Sequence, residues 1–408
     1  MLVTSHEDKL AVWEWPAGRL ARTLRLPAEK PEPGFSAGKR FCTGLVVSAD
    51  GRLLAMCILR VWEVRIGKFT RPIFDGAVDL WDVARGRWLR RLASCVSSFD
   101  DVAFAPDGTG LLVAGRGSPA PHQPDGRKLL DSALSLLDLA TGDRLRTFVG
   151  SGKGEDGNYP LVRACVYSPD GRTVAGGEEN GSVLLFESAT GLLRRRLAGH
   201  RGAVAGLSFT PDGKRLVTAS FDNTGLVWDI SLATLAAAPA GSQAGAWANL
   251  ASREPETVNR ALAGLAASPD RAVALLKDRL RAAAVPDPAA FDRLVADLDS
   301  KHFGVREQAV AELDRLGDVA IAELRRRVAG AQSLEVRRRI ERLLDNHGKG
   351  KIAPERLREL RALEVLEQIG TSGAQQVLAA LARGAAEARL TKEAKASLER
   401  LARRAASR

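Results

Sequence analysis

The chain is poor in the residues that carry most protein chemistry. Its 408 residues include 4 cysteines, 5 histidines, 2 tyrosines and 2 methionines. Cys42, Cys57, Cys95 and Cys165 form no C-x-x-C pair, so neither a zinc knuckle nor a redox dithiol is written here. Three of them fall in or beside apolar alternating runs, which predicts buried, reduced thiols and a reducing compartment. His6, His122, His200, His302 and His347 have no metal-ligand spacing. No G-x-x-x-x-G-K-[ST] loop occurs. Gly152-Lys153-Gly154-Glu155-Asp156-Gly157 fits G-x-G-x-x-G but runs through Tyr159-Pro160 into a strand pattern. A dinucleotide loop must instead open a helix. The expectation is a protein without metal, cofactor or catalytic residues. Long apolar runs are missing too. The uncharged stretch Ser231 to Ser252 holds Pro239, Gly241, Ser242, Gln243, Gly245 and Asn249, which reads as a linker into a helix and not as a membrane span. Met1 leads straight into an alternating strand pattern, from which no signal peptide is expected. A cytoplasmic protein is expected.

What is present is repetition. Gly199 to Ile230 starts with Gly-His and ends with Trp-Asp, with three β-patterned runs between: Val204–Phe209, Arg215–Ala219 and Gly225–Ile230. Pro211-Asp212-Gly213, a tight-turn sequence, divides the first two. Endings of the Trp-Asp kind recur at Trp13-Glu14, Trp81-Asp82, Leu137-Asp138 and Phe186-Glu187. Six residues before each ending stands a turn residue: Glu7, Asp75, Asp131, Asn180 and Asp222. Further turns of the Asp-Gly type lie at Ala49-Asp50-Gly51, Pro106-Asp107-Gly108 and Pro169-Asp170-Gly171. After most endings comes an outer strand of shared pattern: Arg19–Leu26, Arg87–Leu92, Arg144–Val149 and Leu192–Leu197.

This constellation resembles the WD40 repeat of β-propellers. In that family a buried network links the His of Gly-His, a Ser or Thr, a turn Asp and the Trp of Trp-Asp. The resemblance puts His200, Ser220, Asp222 and Trp228 in these roles, with every polar atom satisfied inside a blade. It also accounts for a Ser-His-Asp set without catalysis, since no nucleophile elbow surrounds the serine. About five blade units are expected over residues 1–235. The first begins at its second strand and the fifth ends after its third. Open strand edges invite association. The expected remedies are, in order, blades restored by an upstream segment of a longer protein, self-association, and strained closure.

Most intervals between endings exceed the roughly 40–45 residues of a bare repeat. The excess falls into four insertions: Pro27 to Arg40, Arg60 to Phe74, Arg116 to Leu130 and Gly150 to Pro160. In a propeller these connections emerge on one face, which is how a binding surface is built. They carry Arg65, Lys68, Arg71, Arg116, His122, Arg127 and Lys153 against few acids, so a protein partner, in particular an acidic or phosphorylated peptide, is expected there.

From about Trp247 the apolar period changes from 2 to 3.6. Helices are expected near 255–267, 269–282, 288–298, 303–316, 318–329, 334–346, 354–369, 373–383 and 390–404. An internal repeat aligns Ala309, Val310, Leu313, Leu316 and Gly317 with Ala362, Leu363, Leu366, Ile369 and Gly370. Apolar helix, glycine turn, apolar helix resembles a HEAT-type helical repeat. The chain therefore reads as a bacterial WD40 propeller (1–235), a linker (236–250) and an all-α HEAT-like domain (251–408). The expected function is a non-catalytic scaffold for protein–protein contacts. The alternative is an adaptor whose basic helical domain touches nucleic acid, since net charge is +11. The runs Arg325-Arg326-Arg327 and Arg337-Arg338-Arg339 each spread around a helix and form no single stripe. No aromatics are interleaved for base stacking, so nucleic acid is the weaker expectation.

Overall fold

The computed structural model describes the chain except residues 1, 7–8, 15, 27–34, 67–68, 96–97, 117–133, 151–159, 232–242, 329–332, 350–351 and 407–408. It divides into two compact units, Met1–Ser231 and Leu232–Arg408.

The first unit is built of WD40 propeller-like sheets. Among the described residues eighteen strands form five antiparallel sheets, each taking its strands in chain order. The first sheet is β1 (Leu2–His6), β2 (Lys9–Glu14) and β3 (Arg19–Arg25). The second is β4 (Phe35–Val47), β5 (Leu53–Ile66), β6 (Phe69–Asp82) and β7 (Arg87–Cys95). The third is β8 (Ser98–Phe104), β9 (Gly110–Arg116), β10 (Leu134–Asp138) and β11 (Arg144–Phe148). The fourth is β12 (Val162–Tyr167), β13 (Thr173–Glu178), β14 (Val183–Glu187) and β15 (Leu193–Leu197). The fifth is β16 (Val204–Phe209), β17 (Arg215–Ser220) and β18 (Gly225–Asp229). Among the described residues the first and last sheets have three strands each, as the sequence pattern predicts.

The Asp-Gly turns set the joints. Gly51, Gly108, Gly171 and Gly213 have φ of 71°, 72°, 71° and 69°, a left-handed conformation that costs glycine least. Each donates its N–H three residues back, to Ser48, Ala105, Ser168 and Thr210. The preceding aspartate is held by the same residue where it is a hydroxyl: Ser48 donates to Asp50 and Thr210 to Asp212, both at 2.6 Å. Hydrogen bonding to their ionised form holds the Asp50 and Asp212 carboxyls below the usual range.

Every inner sheet is apolar on both faces because it is packed on both. One face, here the leading face, carries the Trp-Asp aromatic and meets the sheet before. The trailing face meets the sheet after. Leu54, Met56, Ile58 and Trp81 of the second sheet pack on Leu10, Val12 and Leu24 of the first. Ala55, Cys57, Val78 and Leu80, on its other face, pack on Leu111, Val113 and Leu137 of the third. Leu112, Ala114, Leu134 and Leu136 then meet Val174, Leu184 and Phe186. Ala175, Val183 and Leu185 meet Leu216 and Trp228. Burying each such side chain contributes about 1.5–3 kcal/mol, so stacking dominates the stability of this unit. The sheets also approach closely: a Cβ on Gly177 would stand 2.7 Å from Val204 Cγ1 of the next sheet.

A second interaction recurs at each joint. An arginine on the outer strand of one sheet reaches a backbone carbonyl just after the Trp-Asp ending of the next, or on its aspartate. Arg22 donates to Ala84 at 2.7 Å, Arg146 to Ser188 at 2.6 Å and Arg195 to Asp229 at 3.0 Å. Arg90 does the same to Leu139. The sequence shows the shared outer-strand pattern but not this role, because the acceptors are backbone atoms.

The second unit holds ten helices among the described residues: α1 (Gln243–Asn249), α2 (Pro255–Ala266), α3 (Pro269–Arg279), α4 (Pro288–Asp297), α5 (Phe303–Leu316), α6 (Asp318–Arg327), α7 (Leu334–Lys349), α8 (Pro354–Ile369), α9 (Ser372–Leu381) and α10 (Arg389–Ala406). Four begin with proline, whose missing N–H is harmless in a first turn. Gly317 and Gly370 end α5 and α8 at φ 56° and 61°. Ser268 precedes Pro269 as expected, but its hydroxyl makes no capping bond. The stretch read as linker is helical at α1, because Ala246 and Trp247 pack with buried Leu250 on α2, α3, α8 and α9. Arg361, itself buried, donates to the Leu250 and Ser252 carbonyls and ties that segment down. A second core joins α4 to α7 through Phe291, Leu313, Leu324 and Ile340.

Candidate functional site

The buried polar network of the last sheet is assembled on β17 and β18, on the turn between them and on the segment that precedes β16. Trp228 donates its indole N–H to Thr218 Oγ1 at 2.9 Å. Thr218 Oγ1 lies 2.7 Å from His200 Nε2. His200 Nδ1 lies 3.2 Å from Asp222 Oδ2 and 3.1 Å from Thr224 Oγ1. One set of proton positions satisfies all of them: the threonine hydroxyl donates to Nε2 and Nδ1–H donates to Asp222. Asp222 also accepts from Thr224 Oγ1 at 2.6 Å and from the Arg201 N–H at 2.7 Å. These bonds, that of Thr224 first, hold its carboxyl well below the usual range.

The hydroxyl in this network is Thr218 and not Ser220. Across the ladder Trp228 stands opposite Leu216 and Leu226 opposite Thr218. Thr218 is therefore the next residue on the tryptophan's own face, while Ser220 is two residues further, about 7 Å along the strand. Ser220 instead donates to the Gly202 carbonyl at 2.9 Å and accepts from the Asp222 N–H at 3.1 Å. Strand alternation counted back from Trp228 is the signal that finds Thr218. The first sheet repeats the contact, with Trp13 Nε1 donating to Thr4 Oγ1 at 2.9 Å. In the second sheet Met56 stands where the threonine would be, and Trp81 Nε1 has no partner among the described residues.

The other feature is an arm. The stretch Arg60 to Phe74 is read from sequence as an inserted loop, but it continues β5 and β6 as one ladder from Leu53↔Asp82 to Ile66↔Phe69. Part of the preceding insertion joins it, since β4 pairs with β5 from Phe35↔Val64 onward. Two insertions thus form one three-stranded arm beyond the blade, with β5 in the middle. Strands β5 and β6 have 14 residues each, against about 5–6 in a usual strand. Pro72 is tolerated because β7 pairs with β6 only up to Gly76, leaving the arm's β6 edge without a ladder among the described residues. At the arm's base, buried Arg60 is ion-paired to Asp75 at 2.5 Å. Phe41, Ile73 and Phe74 are exposed on it.

Arg65 and Arg71 are therefore on strands of this arm, opposite Thr70 and Val64, and not in a loop. Arg116 ends β9 opposite Ser98. Lys68, His122, Arg127 and Lys153 lie outside the described residues. The arginine runs of the helical unit are engaged: Arg326 and Arg327 with Glu323, Arg337 with Glu341 and Arg339 with Glu335.

Two carboxyls on β8 stand apart. Burial pushes the Asp100 and Asp101 carboxyls up. Asp101 accepts from the Cys165 N–H at 2.8 Å and so links the third sheet to the fourth. Burial likewise raises the Cys42 and Cys165 thiols, which makes them poor nucleophiles. Among the described residues no cluster of His, Cys, Asp and Glu could hold a metal, and no helix is long and apolar enough to cross a membrane.

Residues 191–229 match the WD40 repeat, described as "WD domain, G-beta repeat". The chain is similar to human WD repeat-containing protein 81, 32% identical over 155 residues, which are 38% of this chain and 7% of that protein. It is similar to the nuclear distribution protein nudF of Aspergillus niger, 24% identical over 56% of each, and to an uncharacterised WD repeat-containing protein of Synechocystis, 27% identical over 49% of this chain and 47% of that one. The chain thus spans from less than a tenth to about half the length of these relatives. Among solved structures, the β-propeller domain of Myceliophteria thermophila Cps50 (Swd1) aligns with a TM-score of 0.40 at 16% identity, over 58% of this chain and 64% of that one.

Proposed function

We propose that the protein is a non-catalytic scaffold that binds protein partners, and that its basic insertions take an acidic or phosphorylated peptide. The observation that carries the reading is the arm. Two insertions, separate in sequence, are joined in one sheet that reaches past its blade, and a stable projecting surface is what a binding platform needs. Guanine nucleotide-binding protein subunit beta from rice, 26% identical over 38% of this chain, is a relative in the same repeat class. The pairing of α5 with α6 and of α8 with α9, each around a glycine stop, supports reading the second unit as HEAT-like and as a second surface. A cytoplasmic place in a bacterial cell fits the free thiols of Cys42 and Cys165 and the likeness to the Synechocystis protein.

The test is a titration of the full chain with acidic, phosphorylated and basic peptides of equal length. Acidic or phosphorylated peptides should bind, and a variant carrying Arg65→Glu, Lys68→Glu and Arg71→Glu should bind them at least about tenfold more weakly. A preference for basic peptides, or equal binding by the variant, overturns the reading. Duplex DNA in the same assay should bind weakly, with a shallow salt dependence.

A further inference from the structure

Among the described residues five sheets make four sheet-to-sheet joints, and one face of the first sheet and one of the last lie outside those joints. They are of opposite kind. The first sheet keeps a bare leading face and the fifth a bare trailing face. Register identifies their residues. Ala175, Val183 and Leu185 of the fourth sheet, which the fifth sheet covers, correspond to Val217, Gly225 and Val227 of the fifth. Leu185 is 5% exposed, whereas Val227 is 64% and Val217 41% exposed. At the other end, Leu216 of the fifth sheet corresponds to Leu2 of the first, since each stands opposite its Trp-Asp tryptophan. Leu216 is fully buried under the fourth sheet, but Leu2 is 49% exposed, and Leu20, also opposite Trp13, is 47% exposed. Residues that would be core at an internal joint therefore lie open at both ends.

We infer that the bare trailing face of β16–β18 docks on the bare leading face of β1–β3 of a second copy of this chain, head to tail. This goes beyond peptide binding by the insertions and uses a different surface. A second copy is the occupant because the two faces are the two halves of a joint that the chain already builds four times. Trailing residues of one sheet meet leading residues of the next, and the side chains that meet at each joint are mainly apolar. Neither face is self-complementary, so the contact is heterologous and the copies close into a ring or extend as a chain.

Sedimentation of the full-length protein over a wide concentration range tests it. The wild type should form species larger than a monomer as concentration rises. Val227→Asp disables the trailing half and Leu20→Asp the leading half, and both sites are exposed enough to accept the change. Each variant alone should be monomeric with an unchanged thermal melt. Their equimolar mixture should form a dimer and nothing larger, because one intact half survives on each partner. Should either variant melt early, Val217→Asp or Leu2→Asp replaces it. A wild type that stays monomeric at every concentration overturns the inference. So does an assembly that the single variants leave intact, or a mixture that stays monomeric.

Discussion

At the scale of the residue, the network around Thr218 ranks the side chains of the last blade. Thr218→Val keeps the shape but leaves the Trp228 indole N–H and His200 Nε2 without a partner. It should destabilise the first unit by about 1–3 kcal/mol. Ser220→Ala, at a part-exposed strand end, should cost clearly less. Thermal melts of the two decide the register, and the opposite order would restore Ser220 to the network. The aspartate adds a pH dependence. Because the folded-state pKa of Asp222 is depressed, its contribution is present above the unfolded carboxylate pKa of about 3.9 and is lost as pH falls below it. The melting difference between wild type and Asp222→Asn should therefore be largest near neutrality and shrink below about pH 4. Histidine, aspartate and tryptophan were legible here because their types and spacing are distinctive. The hydroxyl was not, since two candidates lie two residues apart on one strand and only face and reach separate them.

At the scale of the element, the joints between sheets combine apolar stacking with arginine clamps, and their sizes differ. Arg146→Ala removes a half-buried bond to the Ser188 carbonyl and should cost about 1.5–3 kcal/mol, as for hydrogen bonds to charged groups. Leu184→Ala, at a fully buried site between the third and fourth sheets, should cost about 2–5 kcal/mol. Denaturant unfolding of both variants checks the order, and a larger loss at Arg146 would mean that polar clamps outweigh the core. The blades themselves could be read from sequence because the Asp-Gly turns and Trp-Asp endings recur in fixed order. The arm could not, although Gly67-Lys68 between two alternating runs is a hairpin signal. Pro72 argues against a strand until the pairing of β7 is known to stop at Gly76. The clamps stayed hidden because a backbone carbonyl leaves no trace in a sequence.

At the scale of the whole molecule, the two units have separate cores, and between them runs the uncharged stretch from Leu232 that contains Pro239, Gly241 and Ser242. Limited proteolysis should cut there first and yield a β-rich and an α-rich fragment, each keeping its circular dichroism spectrum. First cuts inside the core helices α8 or α9 would count against two independent units. The clamps also bear on how the molecule is made. All four point the same way, from a blade to its successor, as do the trailing apolar faces. On a ribosome that delivers the N-terminus first, each finished blade waits with an unmet guanidinium and an uncovered sheet until the next one emerges. The nascent chain is thus completed one joint at a time, and a ribosome that pauses within a blade adds only the trailing face of the blade before it to the leading face of the first blade, which is open throughout.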